Sequence, residues 1–267
     1  MLPSEEIASR AKTAHYIATN AGSLMLDLFH REIKKVEKSK NDYVSELDRS
    51  IESMAQKTII ESFPEDGFAG EEYMPVSSRD GITWIVDPID GTNNYLRGLP
   101  LCGFQLAILH NDAPVHSVIY RPFTQELFTA TKGEGAVYKN MLTGEESGVR
   151  VSDRPMAEAV VIYDSNVGRA ANPSTNCLLS LADHVASTRV FGVAVFDLPA
   201  IASGVAEVLI TGIAQPYDIA PGWLLVSEAG GLVYNRNGQE PSLDDDFVII
   251  SNRQVKDALL SRINQAE

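Results

Sequence analysis

The chain has few cysteines and no long apolar segment. Its 267 residues include only two cysteines, Cys102 and Cys177, which lie far apart and outside any CxxC spacing. A disulfide framework or a zinc site is therefore not expected, and both thiols are predicted to be buried and inert. No apolar stretch approaches the length of a bilayer-crossing helix, and the N-terminus lacks the apolar block of a signal peptide. These absences predict a cytoplasmic protein without a membrane-bound segment.

Basic residues are also scarce. The chain has 22 lysines and arginines against 36 aspartates and glutamates, which gives a formal net charge of −14. Binding to nucleic acid or to an anionic membrane without sequence preference needs a basic surface, so neither partner is expected. An anionic substrate is not excluded, because a site that gathers carboxylates becomes locally positive once divalent cations fill it.

Helical and strand patterns alternate along the chain. Residues 4 to about 29 carry small and apolar side chains at spacings of three and four, which predicts an amphipathic helix with Ser4 as its N-cap. The lysines between Lys34 and Lys40 are interpreted either as a solvated loop or as a loop that closes over an anionic site. A second helix is predicted at 44–63. Strands are predicted at 68–70, 82–86, 104–110, 115–120, 126–131, 136–138, 159–163, 206–210, 232–234 and 247–250, and further helices at 174–187, 194–204, 219–229 and 255–264.

No internal repeat, low-complexity tract or linker divides the chain. The half at about 1–150 is predicted to place helices on a mostly antiparallel sheet, and the half at about 151–267 to mix helices with strands. We therefore expect one domain over 1–267. Periodicity alone supports only a mixed α and β structure.

An apolar run that is typical of a buried strand ends abruptly in two carboxylates. Asp87 and Asp90 lie three residues apart, with Pro88 biasing Asp87 toward an extended conformation and Gly91 permitting a tight turn. Two converging carboxylates without a basic neighbour favour a hard divalent cation such as Mg²⁺. Thr92 adds a hydroxyl, and a helix that starts there would point N–H groups at an anion such as phosphate.

Each of these acidic residues also has a purely structural interpretation. Asp90 followed by Gly91 is a common hairpin signal, and the spacing from Asp87 is by itself a weak indication of a metal site. Asp218 could cap the helix that follows it, and Glu71 could be a surface residue.

Four segments in order resemble the inositol monophosphatase family of Mg²⁺-dependent, lithium-sensitive phosphatases. They are the segment 41–48 (NDYVSELD), the segment 70–72 (GEE), the segment 87–92 (DPIDGT) and the segment 217–222 (YDIAPG). The last segment departs from the family's WDxAG, because Tyr217 replaces tryptophan and Pro221 stands where a small residue is usual. The resemblance spans most of the chain. It implies an α+β fold, a layered α/β/α/β/α sandwich of the inositol monophosphatase/fructose-1,6-bisphosphatase type, and commonly a homodimer.

The resemblance also implies the metal ligands. Glu71 and Asp87, with the backbone carbonyl of Ile89, would hold a first Mg²⁺ ion. Asp87, Asp90 and Asp218 would hold a second, in a site of two or three ions. The half at 1–150 would then carry most of the ligands, and the half at 151–267 would carry Asp218 and the substrate-side residues.

Catalytic roles follow from the same resemblance. Thr92 matches the position whose hydroxyl orients the attacking water, and Asp42 matches a position that supports Thr92. Glu71 would assist in removing the proton from the water, and Asp48 is a further supporting carboxylate. The phosphate would lie against the backbone N–H groups of Gly91 and Thr92.

The substrate side shows the clearest departures from the family. The residues that match substrate-binding positions are Asp90, Gly91, Thr92, Gly192, Val193, Ala194, Thr211 and Asp218. Thr211 stands where a glutamate commonly contacts inositol or sugar hydroxyls, and Val193 replaces a hydroxyl residue. Loss of a carboxylate that pairs with a polyol hydroxyl is expected to weaken recognition by about 1–3 kcal/mol.

The sequence thus predicts a Mg²⁺-dependent hydrolase of small phosphate monoesters, of the inositol phosphate or sugar phosphate class. Histidinol phosphate, fructose 1,6-bisphosphate or a nucleotide phosphate is the alternative substrate. The nucleotide branch usually reads DGTKEF, whereas this chain has DGTNNY at 90–95. A regulatory protein-binding module with incidental activity is the alternative from another class of protein.

Overall fold

The computed structural model describes residues 3–31, 35–39, 42–165, 174–212, 215–243, 245 and 247–264. The helices of this part of the chain are α1 (Ser4–Leu28), α2 (Glu46–Ser62), α3 (Thr92–Leu96), α4 (Ser174–Leu181), α5 (Ala194–Ala202), α6 (Pro216–Glu228) and α7 (Lys256–Ile263). Its strands are β1 (Lys35–Ser39), β2 (Asp42–Ser45), β3 (Gly67–Gly70), β4 (Ile82–Asp90), β5 (Gly103–His110), β6 (Ala113–Arg121), β7 (Glu126–Thr131), β8 (Gly135–Asn140), β9 (Glu146–Gly148), β10 (Val160–Tyr163), β11 (Ser187–Arg189), β12 (Val208–Gly212), β13 (Leu232–Asn235) and β14 (Phe247–Ser251). Among these helices, none is both long and apolar enough to cross a bilayer.

A seven-stranded sheet is formed by the first half of the chain. Its strands follow the order β3-β4-β5-β6-β7-β8-β9, and every neighbouring pair is antiparallel except β3 with β4. Short turns let each strand from β6 to β9 fold back on its predecessor, whereas the connection from β4 to β5 contains α3. The mostly antiparallel sheet predicted for this half is confirmed. The prediction missed β9, whose three residues are all exposed and lack an apolar alternation.

A five-stranded sheet is formed by the second half, in the order β11-β10-β12-β14-β13. Strand β10 runs parallel to β11 and β12, whereas β14 is antiparallel to both of its neighbours. Every residue of β12 and β14 is buried, which fits the nearly continuous apolar sequence of these two strands.

Helices and sheets alternate in five layers. Helices α1 and α2 pack on one face of the large sheet through side chains that include Ala14, Ile17 and Ile51. Helices α5 and α6 lie between the two sheets, because Ala220 packs with residues of the large sheet and Leu225 with residues of both sheets. Helices α4 and α7 cover the other face of the small sheet. This α/β/α/β/α order is the predicted fold class.

The N-terminal region differs from the prediction in two details. Ser4 is the first helical residue of α1, and Pro3 precedes it without a side-chain capping bond. The lysine-rich segment predicted as a loop contains β1, which pairs antiparallel with β2. Lys34 and Lys40 lie outside the described residues. Pairing with a partner strand, which a local pattern does not report, explains the second difference.

The helix predicted at 174–187 is also too long. Helix α4 ends at Leu181, a short 3-10 turn follows at Ala182–His184, and the chain then enters β11. Strand β11 pairs in parallel with β10 at the edge of the small sheet. The strand pairing therefore ends the helix where the apolar spacing alone would have continued it.

A buried ion pair joins α1 to the large sheet. Arg10 donates from Nε and Nη2 to the two carboxylate oxygens of Asp66, at 2.8 and 2.7 Å. The indole N–H of Trp84 donates to Asp66 Oδ2 at 2.7 Å, and the Arg10 guanidinium lies 4.6 Å from the ring centre of Phe63. Removal of one partner from such a pair leaves an uncompensated buried charge.

We expect Asp66→Asn to lower the free energy of unfolding by about 3 kcal/mol, because the buried Arg10 would lose its closest counter-charge and keep only the longer ion pairs to Glu6 and Asp80, at 3.6 and 3.5 Å. The matched control is Glu65→Gln, at an exposed residue that faces Arg79 at 3.5 Å, for which we expect a change below about 0.5 kcal/mol. Urea denaturation measures both values. Equal losses of unfolding free energy in the two variants would show that the Arg10–Asp66 pair stabilises the fold no more than an exposed ion pair does.

Candidate active site

A β-bulge at the end of β4 brings Asp87 and Asp90 to the same face of the sheet. Asp87 is paired with Gln105 and Asp90 with Gly103, so three steps along β4 match two steps along β5. In a regular strand, residues three apart point to opposite faces, and the extra residue of a bulge reverses this alternation. The two carboxylates therefore converge although their spacing is odd.

Gly91 turns the chain directly from Asp90 into α3. Its φ of 88° lies in the left-handed region that favours glycine. A Cβ at this position would come within 2.6 Å of Val193 Cγ1. Val193 is buried and immediately precedes α5. The turn is thus packed against the second half of the chain, which fixes Asp90 and Thr92 relative to α5.

Asp218 joins the two carboxylates of β4 from the first turn of α6. Asp87, Asp90 and Asp218 each offer a carboxylate oxygen within 4.8 Å of those of the other two. The backbone N–H of Gln215 donates to Asp218 Oδ2 at 3.0 Å, and that of Val195 donates to Asp90 Oδ2 at 2.6 Å. Two helix starts thus orient carboxylates of the cluster. Gln215, and not Asp218, is the N-cap of α6, and Asp218 is the third helical residue, whose side chain reaches back to the Gln215 N–H in a capping box. This bond is compatible with a place of Asp218 among metal ligands.

The cluster is unfavourable as a set of free anions. Burial raises the pKa of Asp87 well above its usual value, and the charges of Glu71, Asp90 and Asp218 raise it further. The pKa of Asp90 is raised by burial and then by the charge of Asp218, whose own pKa is raised by burial to about 6. Asp87 Oδ1 is buried without a hydrogen-bond partner in the described part of the chain. A hard divalent cation such as Mg²⁺ fits this set of oxygen donors.

Glu71 follows β3 directly, in a turn that the buried Glu52 fixes. Glu52 Oε2 accepts the backbone N–H of Glu72 at 2.8 Å, and Oε1 accepts that of Tyr73 at 2.9 Å. Gly70 packs so closely on this carboxylate that a side chain at position 70 would overlap it. Glu71 lines the same cleft as the carboxylate cluster.

The hydroxyl of Thr92 is held by Asp48. Thr92 Oγ1 lies 2.8 Å from Asp48 Oδ1 and 3.0 Å from the carbonyl oxygen of Ile89. Asp48 Oδ2 accepts the backbone N–H of Ser45 at 2.9 Å and also its hydroxyl, within the capping box of α2. The side chain of Asp42, expected to support Thr92, lies outside the described residues. Among the residues that the structure describes, Asp48 takes this supporting position.

One side of α2 therefore holds two parts of the site. Asp48 and Glu52 lie one turn apart, both fully buried, and they fix Thr92 and the turn that carries Glu71. Sequence reasoning missed Glu52. The sequence did offer a signal, because Asp48 and Glu52 are spaced by four residues within the otherwise apolar stripe of α2. Acidic residues are seldom fully buried unless they are paired, so two of them on a buried stripe indicate a specific role.

The expected substrate-side residues line two adjoining cavities. A cleft of about 560 Å³ is lined by Glu71, Asp87, Ile89, Asp90, Gly91, Thr92, Asn93, Asn94, Ser165, Val190, Phe191, Gly192, Tyr217 and Asp218. A smaller cavity of about 120 Å³ contains Val193, Ala194 and Thr211 in its wall and shares Asp90 and Asp218 with the cleft. All the expected site residues whose side chains the structure describes are thus brought together. The smaller cavity also contains two carboxylates that no motif indicated, Asp164 and Asp197.

Comparison with known proteins places the chain in a family. It belongs to the inositol monophosphatase family, whose model matches residues 6–267. The resemblance recognised in the four sequence segments is therefore confirmed. The chain is accordingly a phosphatase that hydrolyses phosphate monoesters, of a family that depends on Mg²⁺.

Individual relatives cover nearly the whole chain. It is 33% identical over 238 residues to the Nus factor SuhB of Xylella fastidiosa, covering 85% of this chain and 82% of that protein. It is 31% identical to inositol monophosphatase 2 of Solanum lycopersicum, covering 94% and 96% of the two chains, and 31% identical to the histidinol-phosphatase of Chlorobaculum parvum, covering 94% and 95%. The crystal structure of the extragenic suppressor protein suhB from Bartonella henselae is similar with a TM-score of 0.89 at 27% identity, covering 96% of this chain and 99% of that one.

In the metal-free protein, Asp218→Asn is expected to become more stable relative to wild type as pH rises. The folded-state pKa of Asp218 is about 6 against an ordinary value of 3.8, so the stability that its protonated form contributes is complete below pH 3.8 and is lost as pH rises through 6. Asparagine has no such loss. Between about pH 4 and about pH 7, the difference in unfolding free energy should move by about 2–3 kcal/mol in favour of the variant.

Urea denaturation in a chelator measures this difference. Asp257→Asn, at an exposed aspartate of α7, is the matched control and should show no such trend. A difference between Asp218→Asn and wild type that does not vary with pH would contradict the account of the cluster.

Glu52→Gln is expected to lower kcat/KM by about 10–100-fold, the usual effect of removing support from a metal ligand. Glutamine has one carbonyl acceptor where Glu52 uses two oxygens, so one of the N–H groups that fix the Glu71 turn loses its partner. The Mg²⁺ concentration for half-maximal activity should rise as well. Glu61→Gln, at an exposed position later on α2, is the control. Equal kinetics in both variants would remove Glu52 from the support of the site.

Proposed function

We propose that the chain hydrolyses small phosphate monoesters in the 560 Å³ cleft, with Mg²⁺ held by Glu71, Asp87, Asp90, Asp218 and the carbonyl of Ile89. The observation that carries this proposal is the convergence of three carboxylates within 4.8 Å, one of them with a buried oxygen that lacks a partner in the described structure. Bound Mg²⁺ would supply charge neutralisation and a water of lowered pKa.

The proposed mechanism assigns the water to Thr92 and Glu71. Because Thr92 donates its hydroxyl proton to Asp48 or to the Ile89 carbonyl, its oxygen is left as an acceptor that can orient a water. Glu71 lines the same cleft and would accept the proton of that water. The water oxygen forms a new bond to phosphorus and the ester P–O bond breaks. The leaving alkoxide would take a proton from a second water, and Glu71 would return its proton to solvent, so that the charges and protons balance. Gly91 and Thr92 line the cleft beside the cluster, which supports their backbone as the phosphate site.

We propose substrates of the inositol phosphate or sugar phosphate class, with Gly192, Val193, Ala194 and Thr211 on the alcohol side. Thr211 and Val193 line the smaller cavity without supplying a carboxylate, which supports a substrate other than inositol monophosphate itself. Histidinol phosphate is an alternative supported by the relative of that name. Fructose 1,6-bisphosphate and nucleotide phosphates are further alternatives.

A regulatory protein-binding role is a second candidate function. It is favoured by the similarity to a relative named Nus factor SuhB. No metal ligand implied by the resemblance is missing, which favours catalysis as the principal function. Loss of activity in an active-site variant would leave such a binding role unaffected, so turnover and partner binding separate the two functions.

Several finer properties belong to the same proposal. We infer two or three Mg²⁺ ions, lithium sensitivity and a homodimer from the family resemblance. The family match over 6–267 supports one domain over 1–267. The net charge of −14 supports a protein that does not bind nucleic acid. A cytoplasmic location is part of the same proposal.

We expect Asp90→Asn to lower kcat by about 100-fold or more, because it removes one charge from the cluster that would hold the cation. Phosphate release is measured with Mg²⁺ and then with EDTA, on inositol 1-phosphate, fructose 1,6-bisphosphate, histidinol phosphate, a 3′,5′-bisphosphonucleoside and NADP. Asp27→Asn, at an exposed residue of α1, is the control. Full activity in Asp90→Asn, or turnover that is unaffected by EDTA, would contradict the mechanism.

A further inference from the structure

We propose that the 120 Å³ cavity beside the cleft binds a positively charged group on the alcohol of the substrate, through Asp164 and Asp197. The preferred substrates would then be phosphate monoesters of alcohols that carry a primary ammonium, such as amino alcohols or amino sugars. This inference rests on the proposed function, because it specifies the alcohol that the same site releases.

The position of the cavity assigns it to the alcohol. Asp90 and Asp218 border both the cavity and the cleft, whereas Gly91 and Thr92 border only the cleft. A phosphate held at Gly91 and Thr92 would lie beside Asp90 and Asp218, which the cavity shares with the cleft, so the alcohol of its ester can extend into the cavity. The cavity has room for a short chain of a few heavy atoms, and its described lining includes no lysine or arginine.

Asp197 is the residue that the fold leaves most in need of a partner. It lies in the first turn of α5, only 4% exposed, and its Oδ1 has no hydrogen-bond partner among the described residues. A buried carboxylate oxygen without a partner costs free energy that a hydrogen-bond donor, and above all a cation, would recover. Asp197 serves no step of the proposed hydrolysis, and its side chain lies in the wall of the cavity. Burial and the charges of Asp90 and Asp164 raise the pKa of Asp197, so an ammonium beside it would favour the ionised carboxylate.

Asp164 adds a second carboxylate from the small sheet. It follows β10 directly, and its Oδ2 accepts the backbone N–H of Gly212 at 2.7 Å and the hydroxyl of Ser174 at 3.4 Å. These bonds orient the carboxylate at the wall of the cavity. Position 211, where relatives commonly have a glutamate, is a threonine on β12. The acidic groups of this cavity come instead from Asp164, after β10, and from Asp197 on α5.

The charge of the cavity predicts a ranking of substrates. Carboxylates in a poorly hydrated cavity attract an ammonium, accept bonds from a hydroxyl and repel a carboxylate or a second phosphate. Charge-assisted hydrogen bonds are about twice as strong as neutral ones. The same arrangement therefore disfavours fructose 1,6-bisphosphate, 3′,5′-bisphosphonucleosides and NADP, whose alcohols carry further phosphate groups.

The test compares three esters of similar size with Mg²⁺ present. They are 2-aminoethyl phosphate, 2-hydroxyethyl phosphate and carboxymethyl phosphate, assayed at about pH 7.5, where an alkyl ammonium is still charged. The quantity of interest is the ratio of kcat/KM for the amino ester to kcat/KM for the hydroxy ester. Intrinsic differences in leaving-group reactivity cancel when this ratio is compared between wild type and a variant.

We expect Asp197→Asn to lower this ratio about tenfold or more, and Asp164→Asn to lower it in the same direction. Asp153→Asn, at an exposed aspartate, should leave the ratio unchanged. Competition by the non-hydrolysable 2-aminoethylphosphonate should weaken in the first two variants to a similar degree, which separates binding from chemistry. Asp164→Asn serves as the test should Asp197→Asn not fold.

Two outcomes overturn the inference, and they differ in what else they affect. Hydrolysis of the hydroxy ester with a ratio that neither Asp197→Asn nor Asp164→Asn changes would refute the ammonium site and leave the phosphatase assignment of the cleft intact. Absence of Mg²⁺-dependent hydrolysis of every ester, including the panel of larger substrates, would refute the proposed function of the cleft together with the inference.

Discussion

Mutual repulsion among Asp87, Asp90 and Asp218 is the constraint on which the site depends. Their oxygens meet within 4.8 Å at a site where Asp87 is buried and Asp90 and Asp218 are half-buried, and partial loss of hydration raises the pKa of each. A fold gains nothing from three such carboxylates as free anions, because charges in a poorly hydrated interior are unfavourable without a partner. A divalent cation turns the same arrangement into a favourable one, and its excess positive charge then suits a phosphate. The metal-free cluster thus destabilises the fold locally, and the bound ion, which the function needs, removes this cost.

The surrounding fold holds these groups together against their repulsion. The bulge in β4 aligns two carboxylates, the start of α6 supplies the third, and the start of α5 donates a backbone N–H to Asp90. On the opposite side, α2 fixes Thr92 and the Glu71 turn through two buried acids one helical turn apart. Each group that is proposed to act on the substrate is therefore anchored to a regular element and packed between layers, so its geometry does not rely on an isolated loop.

Periodicity predicted most of the helices and strands, because long amphipathic segments and buried strands have strong periodicities. The five-layer order was predicted from the family resemblance, since periodicity alone supports only a mixed α and β structure. Periodicity failed at β1, β2, β9 and β11, which depend on pairing with a partner strand. Resemblance placed the carboxylates in one site, yet the bulge that aligns them could not be read from their spacing. The resemblance assigned the support of Thr92 to Asp42 and gave Asp48 only as a further carboxylate. The capping box at the start of α2 orients Asp48 toward Thr92, a contact that similarity alone does not show. Glu52 and Asp197 belong to no motif, since only tertiary packing shows that they are buried.

Calorimetric titration with Mg²⁺ tests the central claim most directly. If the carboxylates have raised pKa values and bind the ion, binding near pH 6 should be saturable and should release protons, which appears as a dependence of the heat on the ionisation enthalpy of the buffer. Proton release should diminish as pH rises, and it should be smaller in Asp218→Asn, which has one fewer proton to lose. Absence of saturable binding, or binding with the same heat in every buffer at that pH, would contradict the account.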